Sequence, residues 1–302
     1  MTSIATPPRG AGRALLSALR PVQWVKNGLI GVAPAAAGTI THADIIRHTA
    51  AAFVCFCALS SCLYLVNDLR DAPADRQHPA KRHRAIAAGQ LPVGVAWVSA
   101  AVLFVIAFSI PFALWRPEEL FLVLGIYFAI SIAYTYWLKT IPIIELAAVA
   151  SGFFLRAYAG AAASHIVVST WFLVVISFGA LFLVVGKRSS ELKQVGAGIT
   201  RPVLSEYRPE FLHSVVTLSA TVVVTGYCLW AFDTSSTGLS SPHHVTVPIR
   251  LSVVPVVIAV LVIMRSVEAG DGHSAETLLY HDRTVQALAA VWAALLCVGI
   301  YG

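Results

Sequence analysis

Asn67-Asp68-Leu69-Arg70-Asp71-Ala72-Pro73-Ala74-Asp75 comes directly after an apolar run from Ala50 to Val66. Asn67, Asp71 and Asp75 stand at i, i+4 and i+8; Asp68, Asp71 and Asp75 stand at i, i+3 and i+7. A helix that continues through the stretch projects all four from one narrow face. Like charges so close repel, so a cation is expected among them. Oxygen-only donors suit Mg²⁺, and Mg²⁺ commonly brings phosphate with it. Arg76, His78, Lys81, Arg82, His83 and Arg84 come next and supply phosphate-ready groups. The pattern predicts diphosphate chemistry at a membrane surface. A solvated loop that anchors a helix to lipid headgroups would explain the Lys and Arg residues but not the spaced Asp residues.

The rest of the chain supplies the membrane. Of its 302 residues 58% are hydrophobic and 12% charged, whereas soluble domains carry roughly 25% charge. Apolar runs fit nine spans: Gly28–Ile40, His48–Val66, Val93–Trp115, Leu120–Trp137, Ile143–Ala163, Trp171–Gly186, Phe211–Phe232, Leu251–Met264 and Val285–Tyr301. The first and eighth are short. Backbone groups in lipid must pair within their own segment, so the spans are helices and the fold class is an all-α polytopic membrane protein. With the N-terminus placed in the cytoplasm, 17 of the 21 Lys and Arg residues fall on the cytoplasmic side. Arg47, Arg116 and Arg250 fall outside, and Arg156 lies inside a span. This is a positive-inside pattern. The net charge of +6 is thus gathered on one face, where it meets anionic lipid or an anionic soluble substrate. The expected site is a multi-pass plasma membrane, with no nucleic-acid partner. All five cysteines lie within apolar runs and lack metal-ligand spacing.

One membrane domain, 1–302, is expected, with a basic tail over 1–26 and two long cytoplasmic connections, 69–92 and 187–210. Each connection opens with a charged cluster at a helix end, which suggests two four-helix units facing one cavity. The second cluster is Gly186-Lys187-Arg188-Ser189-Ser190-Glu191. Lys187 and Glu191, at i and i+4, either pair with each other or serve a site in which Lys187 and Arg188 bind phosphate and Glu191 orients one of them or reaches a metal-bound water. Arg20-Pro21-Val22-Gln23-Trp24-Val25-Lys26-Asn27 leads into the first span. Arg20, Trp24 and Lys26 look like an interfacial anchor, and of this segment Lys26 and Asn27 are the better pocket candidates. A guanidinium at membrane depth is costly unless it meets a polar cavity or an anion, which marks Arg156. Glu145 lies on the same helix face but about 16 Å along the axis, too far to pair with it.

These residues resemble the UbiA superfamily of intramembrane prenyltransferases over essentially the whole chain. The carriers are the nine spans and Asn67-Asp68-x-x-Asp71-x-x-x-Asp75 after the second. That family holds a diphosphate through Mg²⁺ between two Asp-rich motifs, whereas this chain has Lys187-Arg188-x-x-Glu191 at the second place. Together with Arg20-Pro21-x-Gln23-Trp24-x-Lys26-Asn27 and Asp75-Arg76-x-His78-Pro79-x-Lys81-Arg82, this is similar to the actinobacterial branch that acts on decaprenyl phosphate. One departure is Ala85, where that branch usually has Pro. The resemblance implies transfer of 5-phosphoribose from 5-phosphoribosyl 1-diphosphate to a polyprenyl phosphate, with release of pyrophosphate, toward a lipid-linked arabinose donor for the cell wall. It implies Asn67, Asp68, Asp71 and Asp75 as Mg²⁺ ligands and Arg76, Lys81, Arg82, Lys187 and Arg188 on donor phosphates. Arg156 or Lys26 would screen the lipid phosphate. A prenyltransferase with an aromatic acceptor and a non-enzymatic transporter are the competing readings. A homo-oligomer is compatible with either.

Overall fold

A computed structural model describes residues 11–79, 81–195, 202–233, 246–269 and 282–302. The described residues form helices α1 (Ala11–Leu19), α2 (Val32–Ala36), α3 (Ala43–Gln77), α4 (Val93–Leu114), α5 (Glu118–Tyr136) and α6 (Ile144–Ser164). They continue with α7 (Thr170–Val195), α8 (Pro209–Phe232), α9 (Thr246–Leu251), α10 (Val253–Ala269) and α11 (Arg283–Tyr301). Eight stretches are long and apolar enough to cross a bilayer: α3 to α8, α9 with α10, and α11.

The first expected span takes another form. Pro21–Gly31 is a 3-10 helix, and α2 continues it. At about 2.0 Å rise per 3-10 residue and 1.5 Å per α residue, the two cover roughly 30 Å. They do traverse the molecule. Arg20, just before them, bonds Asp68 at one end. Ala35, near their finish, accepts from the Tyr301 hydroxyl at the other. A 3-10 run of this length is uncommon and is held by its neighbour. A Cβ on Gly160 of α6 would lie 1.9 Å from the Ile30 carbonyl oxygen, so the backbones touch there and only glycine fits. Among the described residues, eight long apolar helices and this overwound segment thus run between the two ends of the molecule.

The tail is also more structured than a tail. Ala14 and Ala18 of α1 are buried against Cys62, Leu65 and Val66 of α3. Both charged connections begin as helix: α3 runs through Pro73 to Gln77, and α7 runs to Val195. Residues 1–10, 196–201 and most of the Asp233–Val247 connector lie outside the described residues.

α6 is the central post. Its Ala159, Ala162 and Ala163 pack into a core with α3 and α5, and its Leu146 and Ala150 pack with α7 and α8. Small side chains permit this close approach, which replaces the hydrophobic effect as the associating force in lipid. The outward positions of α4, among them Val98, Val102, Val105 and Phe112, are exposed apolar groups that face a bilayer. Arg47, Arg116 and Arg250 sit at the end opposite the Asp-rich stretch, as the charge count requires.

Candidate active site

α3 is 35 residues long, so at 1.5 Å per residue it exceeds a hydrocarbon core of ~30 Å and carries its last turns beyond it. The Asp-rich stretch occupies those turns, but its four polar groups do not all meet one cavity. At about 100° per residue, Asn67, Asp71, Asp75 and Asp68 lie in that order at roughly 0°, 40°, 80° and 100°. Their surroundings divide them into two pairs. Asn67 and Asp71 line a cavity of about 490 Å³; Asp68 and Asp75 do not, and both are buried.

Asp68 and Asp75 hold arginines in place. Asp68 Oδ1 accepts from Arg20 Nη2 at 2.6 Å and from Arg84 Nη1 at 3.1 Å. Asp75 Oδ2 accepts from the same Arg84 nitrogen at 2.8 Å. Both arginines line the cavity. In the other pair, Asp71 Oδ1 accepts from Lys139 Nζ at 2.7 Å and Oδ2 from the Asn67 amide at 3.2 Å. Lys139 comes from the short turn Leu138–Thr140 after α5.

The described lining of this cavity includes six cations, Arg20, Lys26, Lys81, Arg84, Lys139 and Arg156, against Asp71 in the lining and Asp68 and Asp75 behind Arg20 and Arg84, a surplus of three positive charges. Tyr64, Tyr127, Ser131, Tyr134 and Thr135 add hydroxyls. A space so biased in charge is built for a polyanion.

Arg156 forms the inner wall and is 6% exposed. Its Nε donates to Asn27 Oδ1 at 2.8 Å, Nη1 to the Gly152 carbonyl at 2.6 Å and Nη2 to the Tyr127 hydroxyl at 2.6 Å. A guanidinium has five N–H groups, so two remain, one on each terminal nitrogen. All three partners are neutral, and among the described residues no carboxylate pairs with Arg156. Its charge is left for something in the cavity. Gly152 makes room: a Cβ there would lie 3.3 Å from Nη1.

The second cluster behaves differently from the expectation. Arg188 is buried, its Nε and Nη2 donate to Glu145 Oε1 and Oε2 at 2.9 and 3.0 Å, and its Nη1 donates to Glu191 at 3.1 Å. It is spent on protein carboxylates. Neither Lys187, Arg188 nor Glu191 lines the cavity. Arg76 donates to the Ala87 carbonyl and Arg82 contacts His83, both exposed and away from the lining. Of the expected ligand-binding residues, Lys26, Lys81, Asn67, Asp71 and Arg156 come together, and Asn27 lies behind Arg156. Arg84, from the phosphate-ready stretch, joins them; Arg20, Lys139 and Tyr127 were not expected. Arg20 reads as an anchor and Lys139 as one more inside charge until tertiary contacts assign them.

Removing one partner of a buried pair leaves an uncompensated charge. Arg188→Ala is therefore expected to cost about 3–5 kcal/mol of stability, read as a large fall in melting temperature in detergent. Replacing both partners, Arg188→Met with Glu145→Leu, is expected to restore most of it. If Arg188→Ala melts normally and only weakens donor binding, the pair is not structural.

The donor chemistry can be tested against a divalent cation. Among the described residues no group of three or more His, Cys, Asp or Glu side chains forms a cage. One carboxylate and one amide, Asp71 and Asn67, reach the cavity. Mg²⁺ is commonly held by one or two carboxylates while keeping waters and substrate phosphates, so this donor set fits an ion shared with a bound diphosphate.

The model of the UbiA prenyltransferase family matches residues 28–281. The chain belongs to the UbiA prenyltransferase family. A decaprenyl-phosphate phosphoribosyltransferase of Corynebacterium glutamicum is 41% identical, with 98% of this chain and 89% of that protein covered. Proteins of the same name are 38% identical in Mycolicibacterium smegmatis, covering 98% of this chain and 95% of that one, and 39% identical in Mycobacterium tuberculosis, covering 96% and 95%. Among solved structures, a UbiA homolog from Archaeoglobus fulgidus bound to DMAPP and Mg²⁺ superposes with a TM-score of 0.70. It is 17% identical, covering 95% of this chain and 98% of that one. At that identity the likeness is one of fold.

Proposed function

We propose that this chain transfers 5-phosphoribose from 5-phosphoribosyl 1-diphosphate to decaprenyl phosphate or a similar polyprenyl phosphate. The observation that carries this reading is the surplus of cations in the cavity, in a chain 38–41% identical to decaprenyl-phosphate phosphoribosyltransferases. A prenyl diphosphate brings one diphosphate. A phosphoribosyl diphosphate and a lipid phosphate bring a diphosphate and two further phosphates, which better suits six cations.

The donor diphosphate would lie near Asn67 and Asp71, which would hold Mg²⁺, with Lys139, Arg84, Arg20 and Lys81 around it. Mg²⁺, when bound, neutralises charge on the departing pyrophosphate. Lys139 and Arg84 add hydrogen bonds to the same group as its charge grows. An oxygen of the lipid phosphate attacks C1 of the ribose, and the C1–O bond to pyrophosphate breaks with its electron pair. That nucleophile is already anionic at neutral pH, so no general base is needed. In-line attack inverts C1. Arg156, at the inner wall with two unspent N–H groups, would hold the acceptor phosphate and screen it from the donor. The lipid tail would enter from the bilayer between helices. The positive-inside pattern supports a plasma-membrane enzyme with this cavity opening to the cytoplasm.

The test is direct. Purified protein incubated with 5-phosphoribosyl 1-diphosphate, Mg²⁺ and a polyprenyl phosphate is expected to form lipid-linked phosphopentose and pyrophosphate. Product with an aromatic acceptor and a prenyl diphosphate, and none with phosphoribosyl diphosphate, would favour ordinary prenyl transfer instead.

A further inference from the structure

Lys139 reaches Asp71 from a three-residue turn, Leu138–Thr140, and such a turn cannot by itself fix a long side chain. The backbone just beyond that turn is strained. Ile143 has φ 66° and ψ −48°, and the Ile144 amide donates to the Pro142 carbonyl at 2.7 Å. This is the rare γ-turn with positive φ. A β-branched residue persists in it only where its surroundings impose it. Ile143 is 57% exposed, so packing of its own side chain does not impose it.

Two contacts do. The Ile143 amide donates to the Tyr207 hydroxyl at 2.7 Å. Two residues on, Glu145 is fully buried and gripped from both oxygens by Arg188. Tyr207 is itself held, buried and stacked on Phe211 with ring centroids 6.0 Å apart. The Pro202–Glu206 turn that leads into it packs on Leu138–Thr140. The turn that bears Lys139 is thus clamped between the α7–α8 connection and the second charged cluster.

We propose that Tyr207 is a positioning residue: its hydroxyl holds the strained turn at Ile143, and through it the Lys139 side chain, in register with Asp71 and the donor diphosphate. The second cluster, Arg188 with Glu145 and Glu191, then serves the reaction as the buttress of that turn and not as a phosphate ligand. The proposal rests on the phosphoribosyl-transfer reading above.

Glycine tolerates positive φ without the β-branched penalty, so it separates positioning from simple packing. Tyr207→Phe removes one hydroxyl and is expected to raise the donor KM about tenfold, with the lipid KM changed less than about twofold. Ile143→Gly alone is expected to keep the wild-type donor KM. The double variant is expected to recover it, because the turn no longer needs the hydroxyl. A wild-type donor KM in Tyr207→Phe overturns the proposal, and so does a double variant no better than Tyr207→Phe. If Tyr207→Phe is too unstable to assay, a double variant that folds with normal donor KM supports the clamp; one that also fails to fold overturns it. Absence of lipid-linked product from the wild-type protein would sink the activity reading alone. Thermal shifts induced by phosphoribosyl diphosphate, compared across the same variants, would then decide the role of Tyr207 separately.

Discussion

Asp71→Asn is expected to lower turnover at least ~100-fold with little effect on folding, in line with loss of a charge-stabilising group at a reaction centre. Asp71 is the one carboxylate in the described lining, and it accepts from both Lys139 and Asn67. The amide keeps its shape but removes the charge that a divalent cation and Lys139 need. Its side chain is 27% exposed at the wet end of α3, so the folded state loses little. EDTA is expected to abolish wild-type activity and added Mg²⁺ to restore it. Full activity in EDTA, or a variant retaining more than about a tenth of wild-type turnover, would remove Asp71 from the metal role. Asp75→Asn should behave differently, since Asp75 meets Arg84 and not the cavity. Its effect is expected on donor KM, with an unchanged Mg²⁺ requirement.

The contrast between these aspartates shows how far a sequence carries the site. That α3 continues through residues 67–75 is legible in the apolar run before it and the periodic polar groups in it. That the four groups form two pairs was not open to arithmetic, because at about 100° per residue Asp71 lies about 40° from both Asn67 and Asp75. Nor was what each pair meets. Lys139 is 68 residues from Asp71, and Glu145 is 43 residues from Arg188. Lys187-Arg188-x-x-Glu191 looks like a phosphate cluster only while its buried neutraliser is unseen. The first crossing illustrates a limit of another kind. Gly28–Ile40 is too short for an α-helical span, and the extra reach comes from overwinding from Pro21 onward, which hydropathy does not report. Arg156 is the opposite case. A single guanidinium inside an apolar run has few physically tolerable locations, and the structure places it on the cavity wall.

Arg156→Leu is expected to abolish most transfer while leaving the melting temperature within a few degrees of wild type. Two opposing terms set the stability. A buried guanidinium paired only with neutral groups has a large desolvation cost, which leucine removes. Against this, Asn27 Oδ1, the Gly152 carbonyl and the Tyr127 hydroxyl each lose a donor, and Asn27 is 1% exposed. The activity term has no such offset. The two unspent N–H groups would make charge-assisted bonds to phosphate at about 1.5–3 kcal/mol each, together roughly 10²–10⁴ in rate or affinity. The loss is expected chiefly in the lipid KM, since the donor diphosphate is placed at the Asp71 end. Arg156→Lys is expected to recover only part of it. A single ammonium cannot reach two phosphate oxygens while also bonding Asn27, Gly152 and Tyr127. Measuring both KM values and the melting temperature for the two variants decides between a phosphate-binding and a structural role. A leucine variant that is fully active but poorly folded would make Arg156 a structural residue.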